Sequence, residues 1–296
     1  MTLLLFVLVI LAWGFSWFAI KLQLGSVPPE VAIFHRFVLA AALLGLGLAV
    51  TRRFRPARLA QHRRFAVLGA TLFGLNFLLI YFATQHVASG VVSVVFTAAT
   101  IFNAVNQWIF FGVRPQARVI VGAACGMSGI GLLFASEWAG VAGRPESALG
   151  IVLALGGTYA FSLGNLASVR AAADGTDLPN VTLRGMCWGA FFLGTFALLR
   201  GQNFAPELSW RYLGGLVYLA VPGSILGFLA YLALVARSGP ARAAYVTVLF
   251  PLVALTVSTL AEGYVWTASA IIGLPLILAG NLVIFARLPG RQATSA

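Results

Sequence analysis

The residues best placed to do chemistry here are ionisable or aromatic and sit inside long apolar stretches. Arg36 and Arg184 are two such residues. A charged side chain at the centre of a membrane helix costs about 2.5–3.5 kcal/mol, so each needs a reason to be there. An arginine in that position can bind a substrate carboxylate, lock helices together, or reach back to the nearer interface while donating to backbone carbonyls. Acids are placed differently. Glu30, Glu137, Glu146, Glu207 and Glu262 fall at the ends of apolar runs or in loops, and Asp174 and Asp177 share a loop. A proton-coupled carrier of cationic drugs needs a carboxylate within the membrane, and this sequence offers none. His35 and His86 are the remaining proton carriers to consider, although a histidine at a helix end is more often simply hydrogen-bonded.

Aromatic rings carry more of the expected chemistry. Trp13 and Trp17 are four residues apart and share one helix face, as do Phe77 and Tyr81. Tyr159, Trp188 and Tyr245 bring further rings from the second half. Trp108, Trp138, Trp210 and Trp266 lie near the ends of their runs and read as the interfacial belt, whereas Trp13, Trp17 and Trp188 lie deeper. Burying an aromatic substrate side chain of about 150–250 Å² is worth roughly 4–6 kcal/mol, enough to drive recognition without strong charge pairing. Neutral polar groups can satisfy the ends of a zwitterion, and Asn76, Thr97 and Ser162 head that group, with Gln85, Asn103, Asn106 and Asn165 behind them. The expected substrate-binding set is therefore Trp13, Trp17, Asn76, Phe77, Tyr81, Thr97, Tyr159, Ser162, Trp188 and Tyr245. No catalytic residue, metal site or cofactor is expected. The sequence has no H-E-x-x-H or G-x-S-x-G and no histidine cluster, which counts against an intramembrane enzyme. Cys125 and Cys187 lie in apolar runs without metal-ligand spacing and read as core residues.

These residues need membrane helices to position them. The 296-residue chain is 60% hydrophobic and only 9% charged. A soluble domain carries about 25% charged residues. A spanning helix takes about 20 apolar residues, and apolar runs fall near 2–22, 30–51, 65–86, 88–111 and 116–136, then 147–170, 179–200, 211–236, 239–261 and 267–286. The first run has no basic segment before it and no small-x-small cleavage site, so it reads as a membrane helix rather than a leader. Pro222, Pro251 and Pro275 fall inside runs and predict kinks. Gly122-x-x-x-Gly126 and Gly185-x-x-x-Gly189 fit close helix packing.

The net charge of +12 fixes orientation rather than signalling nucleic acid, because no basic face exists apart from the loops. Arg52, Arg53, Arg55, Arg58, Arg63 and Arg64 crowd the loop after the second run. Arg114, Arg118, Arg170, Arg237, Arg242, Arg287 and Arg291 fall on the same side, against Lys21, Arg144, Arg200 and Arg211 on the other. The positive-inside rule then puts both termini in the cytoplasm of a bacterial inner-membrane protein.

Ten crossings divided as 1–136 and 147–296 give two five-helix halves, and an odd number per half forces opposite orientations, as in inverted-repeat transporters. Faint internal matches agree. Trp13-Gly14-Phe15-Ser16 lines up with Tyr159-Ala160-Phe161-Ser162, Arg36 with Arg184, and Tyr81 and Ala83 with Tyr231 and Ala233. The matched places of the two arginines favour a scaffold role for both. The fold class expected is an all-α polytopic membrane protein, with two inverted five-helix repeats around a central cavity.

Ala12-Trp13-Gly14-Phe15-Ser16-Trp17-Phe18 with Lys21 resembles the first helix of EamA-type carriers in the drug/metabolite transporter superfamily. Phe34-His35-Arg36-Phe37 resembles their second helix. Phe250-Pro251-Leu252-Val253-Ala254 leading to Glu262 resembles the ninth, and Gly273 and Gly280 fall where the last helix carries glycines. One departure is Phe111-Gly112, where many members have a glutamate. Among members, the tryptophan and tyrosine content looks most like that of an aromatic amino-acid exporter. The resemblance implies outward movement of a small metabolite by alternating access. Neutral or zwitterionic metabolites are the expected cargo, aromatic amino acids first. Another metabolite, an amphipathic drug or a lipid-linked cargo is the alternative. The expected partners are the small-molecule substrate and membrane lipid, and ten helices can enclose a cavity as a monomer.

Overall fold

A computed structural model of the chain describes residues 2–133, 145–238 and 246–285. These form ten helices and no strand. They are α1 (Thr2–Gln23), α2 (Pro29–Val50), α3 (Leu59–His86), α4 (Ser89–Phe111) and α5 (Ala117–Leu133), followed by α6 (Pro145–Ala171), α7 (Leu178–Leu199), α8 (210–238), α9 (Val246–Ala261) and α10 (Ala268–Phe285). Seven are long and apolar enough to cross a membrane, and α5, α9 and α10 are shorter apolar helices. Pro29 and the Leu178-Pro179 pair stand in first turns, where a missing N–H leaves no gap in the helix.

The helices pack as a multi-pass bundle with a two-fold pattern of partners. α2 lies on α7 and α5 on α10, while α1 packs on α8 and α9, and α6 packs on α3 and α4. Exchanging the two halves turns α1–α9 into α6–α4 and α1–α8 into α6–α3. It returns α2–α7 and α5–α10 to themselves. This is the inverted repeat expected from an odd number of helices per half.

The backbone repeats the pattern locally. α3 widens into a π-helical segment over Gly69–Leu75, and α8 does the same over Leu219–Leu226. The two segments begin at the same offset that separates Tyr81 from Tyr231. The kink expected at Pro222 is this second segment, where the ring cannot share the regular hydrogen-bond ladder. Pro251 and Pro275 lie within uninterrupted α-helices, so neither breaks its helix; one absent N–H frees a single carbonyl and the ladder resumes. α4 instead tightens at Thr97–Ala98, where bonds such as Thr97 N–H to Val94 O and Ala98 N–H to Val95 O close shorter i→i+3 turns.

Gly122 and Gly280 let α5 and α10 cross backbone on backbone, since a Cβ on either would meet the other's carbonyl oxygen. Gly185 and Gly189 of α7 make room for the Phe73 side chain of the α3 π segment, and a Cβ on Gly69 of that segment would meet the Gly185 carbonyl oxygen. Lipid is as apolar as leucine, so such close approach, not hydrophobic exclusion, holds membrane helices together.

Candidate functional site

A wall of aromatic rings joins five helices from both halves. Trp17 is buried and stacks on Phe250 of α9, with centroids 6.0 Å apart and planes at 17°. Its edge meets Phe96 of α4 at 5.3 Å, and Phe96 meets Phe161 of α6 at 4.7 Å. One turn away, Trp13 packs against Tyr231 and Phe228 of α8, at 5.2 and 5.6 Å. Each such pair adds about 0.5–1.5 kcal/mol beyond its buried area. The α4 bend at Thr97 follows Phe96 directly and so helps aim that ring. Thr97 itself spends its hydroxyl on Val94 O at 2.7 Å.

Beside this wall lies a polar cluster on α1, α2, α3 and α8. Arg36 is 3% exposed, and its Nε and Nη2 donate to Ser224 Oγ in the α8 π segment, at 3.2 and 3.1 Å. The Ser224 hydroxyl in turn donates a hydrogen bond to Leu219 O at 2.8 Å. The guanidinium lies 4.4 Å from the centroid of Phe77, a cation–π contact worth about 2 kcal/mol when desolvated. The buried Tyr81 phenol interacts with the same guanidinium and donates to Gln23 Oε1 at 2.7 Å. The matched arginines do not share an environment. Arg184 is only partly buried, donates to Arg55 O at 2.9 Å and lies over Phe54 at 4.8 Å, at a loop rather than inside the bundle. The matched arginines therefore tie different places, Arg36 a helix hydroxyl inside the bundle and Arg184 a loop carbonyl at its end.

The remaining expected residues divide among other places. Asn76 turns its side chain back along α3, donating to Leu72 O at 3.1 Å, while its backbone carbonyl lies beside Gly157 of α6. Ser162 accepts from Asn106 Nδ2 at 2.9 Å, and Asn165 donates to Asn103 at 3.2 Å, so this polar seam joins α4 to α6. Tyr159 packs on Phe102 at 5.4 Å and remains 39% exposed, apart from the tryptophan wall. Trp188 donates to His62 Nδ1 at 3.2 Å and stacks among Phe191 and Phe192, outside the central wall. Tyr245 lies outside the described residues. Phe96, Phe161, Phe228, Tyr231 and Phe250 are not in the expected set, although Phe250 stands in the quoted helix-9 motif and Phe161 and Tyr231 in the internal matches.

Both faces of the bundle are tied by polar contacts. On the arginine-rich face, Gln61 of α3 donates to Asp174. Asn180 of α7 donates to Arg53 O at 3.0 Å and accepts from Arg55 N–H at 3.1 Å. Hydrogen bonds from Gln61 and Thr176 hold the Asp174 carboxyl below the ordinary carboxylate range. On the opposite face, Glu262, just past the end of α9, accepts from Ser89 Oγ, from Ser89 N–H at 3.0 Å and from Ser258 Oγ at 2.8 Å. Glu30 pairs with Arg200 at 2.9 Å, and the His35 ring shares a hydrogen bond with Tyr212 at 2.7 Å. A hollow of about 380 Å³ opens there, lined by Phe18, Lys21, Gln85, His86, Arg211 and Glu262.

Comparison with known proteins gives this architecture a family. The chain is 28% identical to the uncharacterized inner membrane transporter YedA of Escherichia coli K12, over 83% of this chain and 78% of that one. It is 26% identical to a protein of Streptantibioticus cattleyicolor named "Probable terminal-alkyne amino-acid exporter", over 97% and 94%. A crystal structure at 16% identity superposes with a TM-score of 0.66 over 96% of both chains, which establishes a shared fold. The EamA-like transporter family model matches twice, at residues 1–135 and 148–286, once per five-helix half. With both halves matched, the chain belongs to the EamA-like transporter family.

Proposed function

We propose that this chain is a secondary exporter of neutral or zwitterionic metabolites, aromatic amino acids first among them, working by alternating access. The observation that carries the reading is the ring wall of Trp13, Trp17, Phe96, Phe161 and Phe250, which draws on α1, α4, α6 and α9. A planar substrate ring can replace one of these ring–ring contacts with another at little cost, and no carboxylate stands among them to select a cation. The exporter named above supports amino-acid cargo, and the tryptophan and tyrosine content looks most like that of the exporter YddG. The repeats run 1–136 and 147–296. The arginine-rich face is cytoplasmic, both termini lie on that side, and a monomer suffices for transport.

On this reading the contacts of Ser89 and Ser258 with Glu262 close the outer mouth, and those of Gln61 with Asp174 tie the inner loops. Breaking one set while the other holds exposes the aromatic wall to one side at a time. Cells producing the chain and loaded with labelled tryptophan lose label faster than cells producing the double variant Trp13→Ala/Trp17→Ala. Equal rates contradict the assignment.

A further inference from the structure

We infer that Arg36 is an anion anchor, whose guanidinium receives the carboxylate of the transported metabolite. This deepens the reading above and rests on its view of the chain as a metabolite carrier. Arg36 makes no ion pair among the described residues and is almost wholly buried. Its N–H groups are divided: Nε and Nη2 are taken by Ser224, while Nη1 has no acceptor. Across Tyr81, Gln23 repeats the imbalance, since Oε1 accepts from the Tyr81 phenol and buried Nε2 has no acceptor. Two unspent donors and an uncompensated positive charge around one phenol form a group short of acceptors. A carboxylate has two acceptor oxygens and the opposite charge, which is what the cluster lacks.

The placement suits an aromatic amino acid. On α8, Gly223 packs against Ser16 Oγ with Arg36 Nη2 beside it, and Gly227 packs against the Trp13 ring. These glycines are four residues apart, at most about 6 Å along the axis, which is the scale of the distance from an amino-acid carboxylate to its ring. Phe77 covers the guanidinium, so ligand entry exchanges a cation–π contact for an ion pair without leaving the charge bare at either stage. Arg184, in the matching place of the other half, is only partly buried and donates to a loop carbonyl, so of the two matched arginines Arg36 alone is fully buried.

The test measures ligand-induced thermal stabilisation of the purified full-length chain in detergent. Two pairs of ligands are used: tryptophan with tryptamine, and threonine with 1-amino-2-propanol, its decarboxylated counterpart. Wild type prefers the carboxylate member of a pair by about 10- to 100-fold, the range expected for a charged hydrogen bond. Arg36→Gln abolishes that preference and binds the amine at least as tightly as wild type does. Should that variant fail to fold, Arg36→Lys retains the charge without the two-pronged donor geometry and reduces the preference several-fold. Equal binding of both members by wild type, or a preference that survives in the variants, overturns the anchor while leaving an aromatic cargo standing. A preference dependent on Arg36 for threonine, with tryptophan and tryptamine both silent, upholds the anchor and removes the aromatic assignment. If neither carboxylate-bearing ligand binds wild type, the anchor is overturned.

Discussion

Trp17 is the ring with the most to lose on truncation, because it stacks on Phe250 and meets Phe96 while almost fully buried. Trp17→Ala weakens apparent affinity for tryptophan by about 10-fold, the equivalent of roughly 1.4 kcal/mol, and leaves threonine much less affected. Competition between the two labelled substrates measures the difference. Asp174 has a separate role on the arginine-rich face. Its carboxyl titrates below the ordinary carboxylate value because Gln61 and Thr176 donate to the ionised form. The loop contact it makes is therefore fully present above that ordinary value and is lost as pH falls through the lowered one. In Gln61→Ala the titration moves up toward the ordinary value, and NMR of a selectively labelled Asp174 follows the shift. At this scale the sequence could report depth but not direction. Trp13 and Trp188 lie equally deep in their runs, yet one packs in the wall and the other beside His62. A ring facing lipid and a ring facing other rings carry the same apolar signature. Arg36 and Arg184 show the same limit for charge, since their matched positions hid two different environments.

Helices were legible as lengths of apolar chain, and their boundaries follow from that one requirement. The loop arginines and the first-turn prolines marked the ends. The π segments were legible only where Pro222 announced one. Its partner in α3 has no proline, and Gly69 and Gly74 gave no comparable signal. Close packing was better written: Gly122-x-x-x-Gly126 predicted a tight crossing, and α10 supplies Gly280 to meet it. Gly122→Leu forces the α5 and α10 backbones apart, an overpacking cost of about 1–3 kcal/mol. The purified variant melts several degrees lower, whereas Gly131→Leu, where no neighbouring atom stands within 4 Å, leaves the melting temperature within about one degree. Equal melting temperatures for the two variants would remove this crossing from the account of stability.

As a whole, the molecule shows in its helix partners a two-fold relation that was legible beforehand only in the helix count and a few matched residues. Exchanging the halves preserves the pattern α1–α9 with α6–α4, and α1–α8 with α6–α3. Polar ties at both ends and a ring wall between them fit the proposed alternating access, in which the Glu262 contacts serve as the outer closure. Glu262→Gln weakens the accepting side of that closure. The expected outcome is faster labelling by a membrane-impermeant thiol reagent at a cysteine placed on Phe18, which lines the outer hollow. Unchanged labelling would assign the closure elsewhere. Counterflow is the most direct measurement of the central claim. Proteoliposomes holding unlabelled tryptophan and the purified chain should take up external labelled tryptophan transiently above equilibrium, and unlabelled phenylalanine inside should support the same overshoot. Absence of any overshoot with tryptophan, phenylalanine or threonine inside would contradict the account.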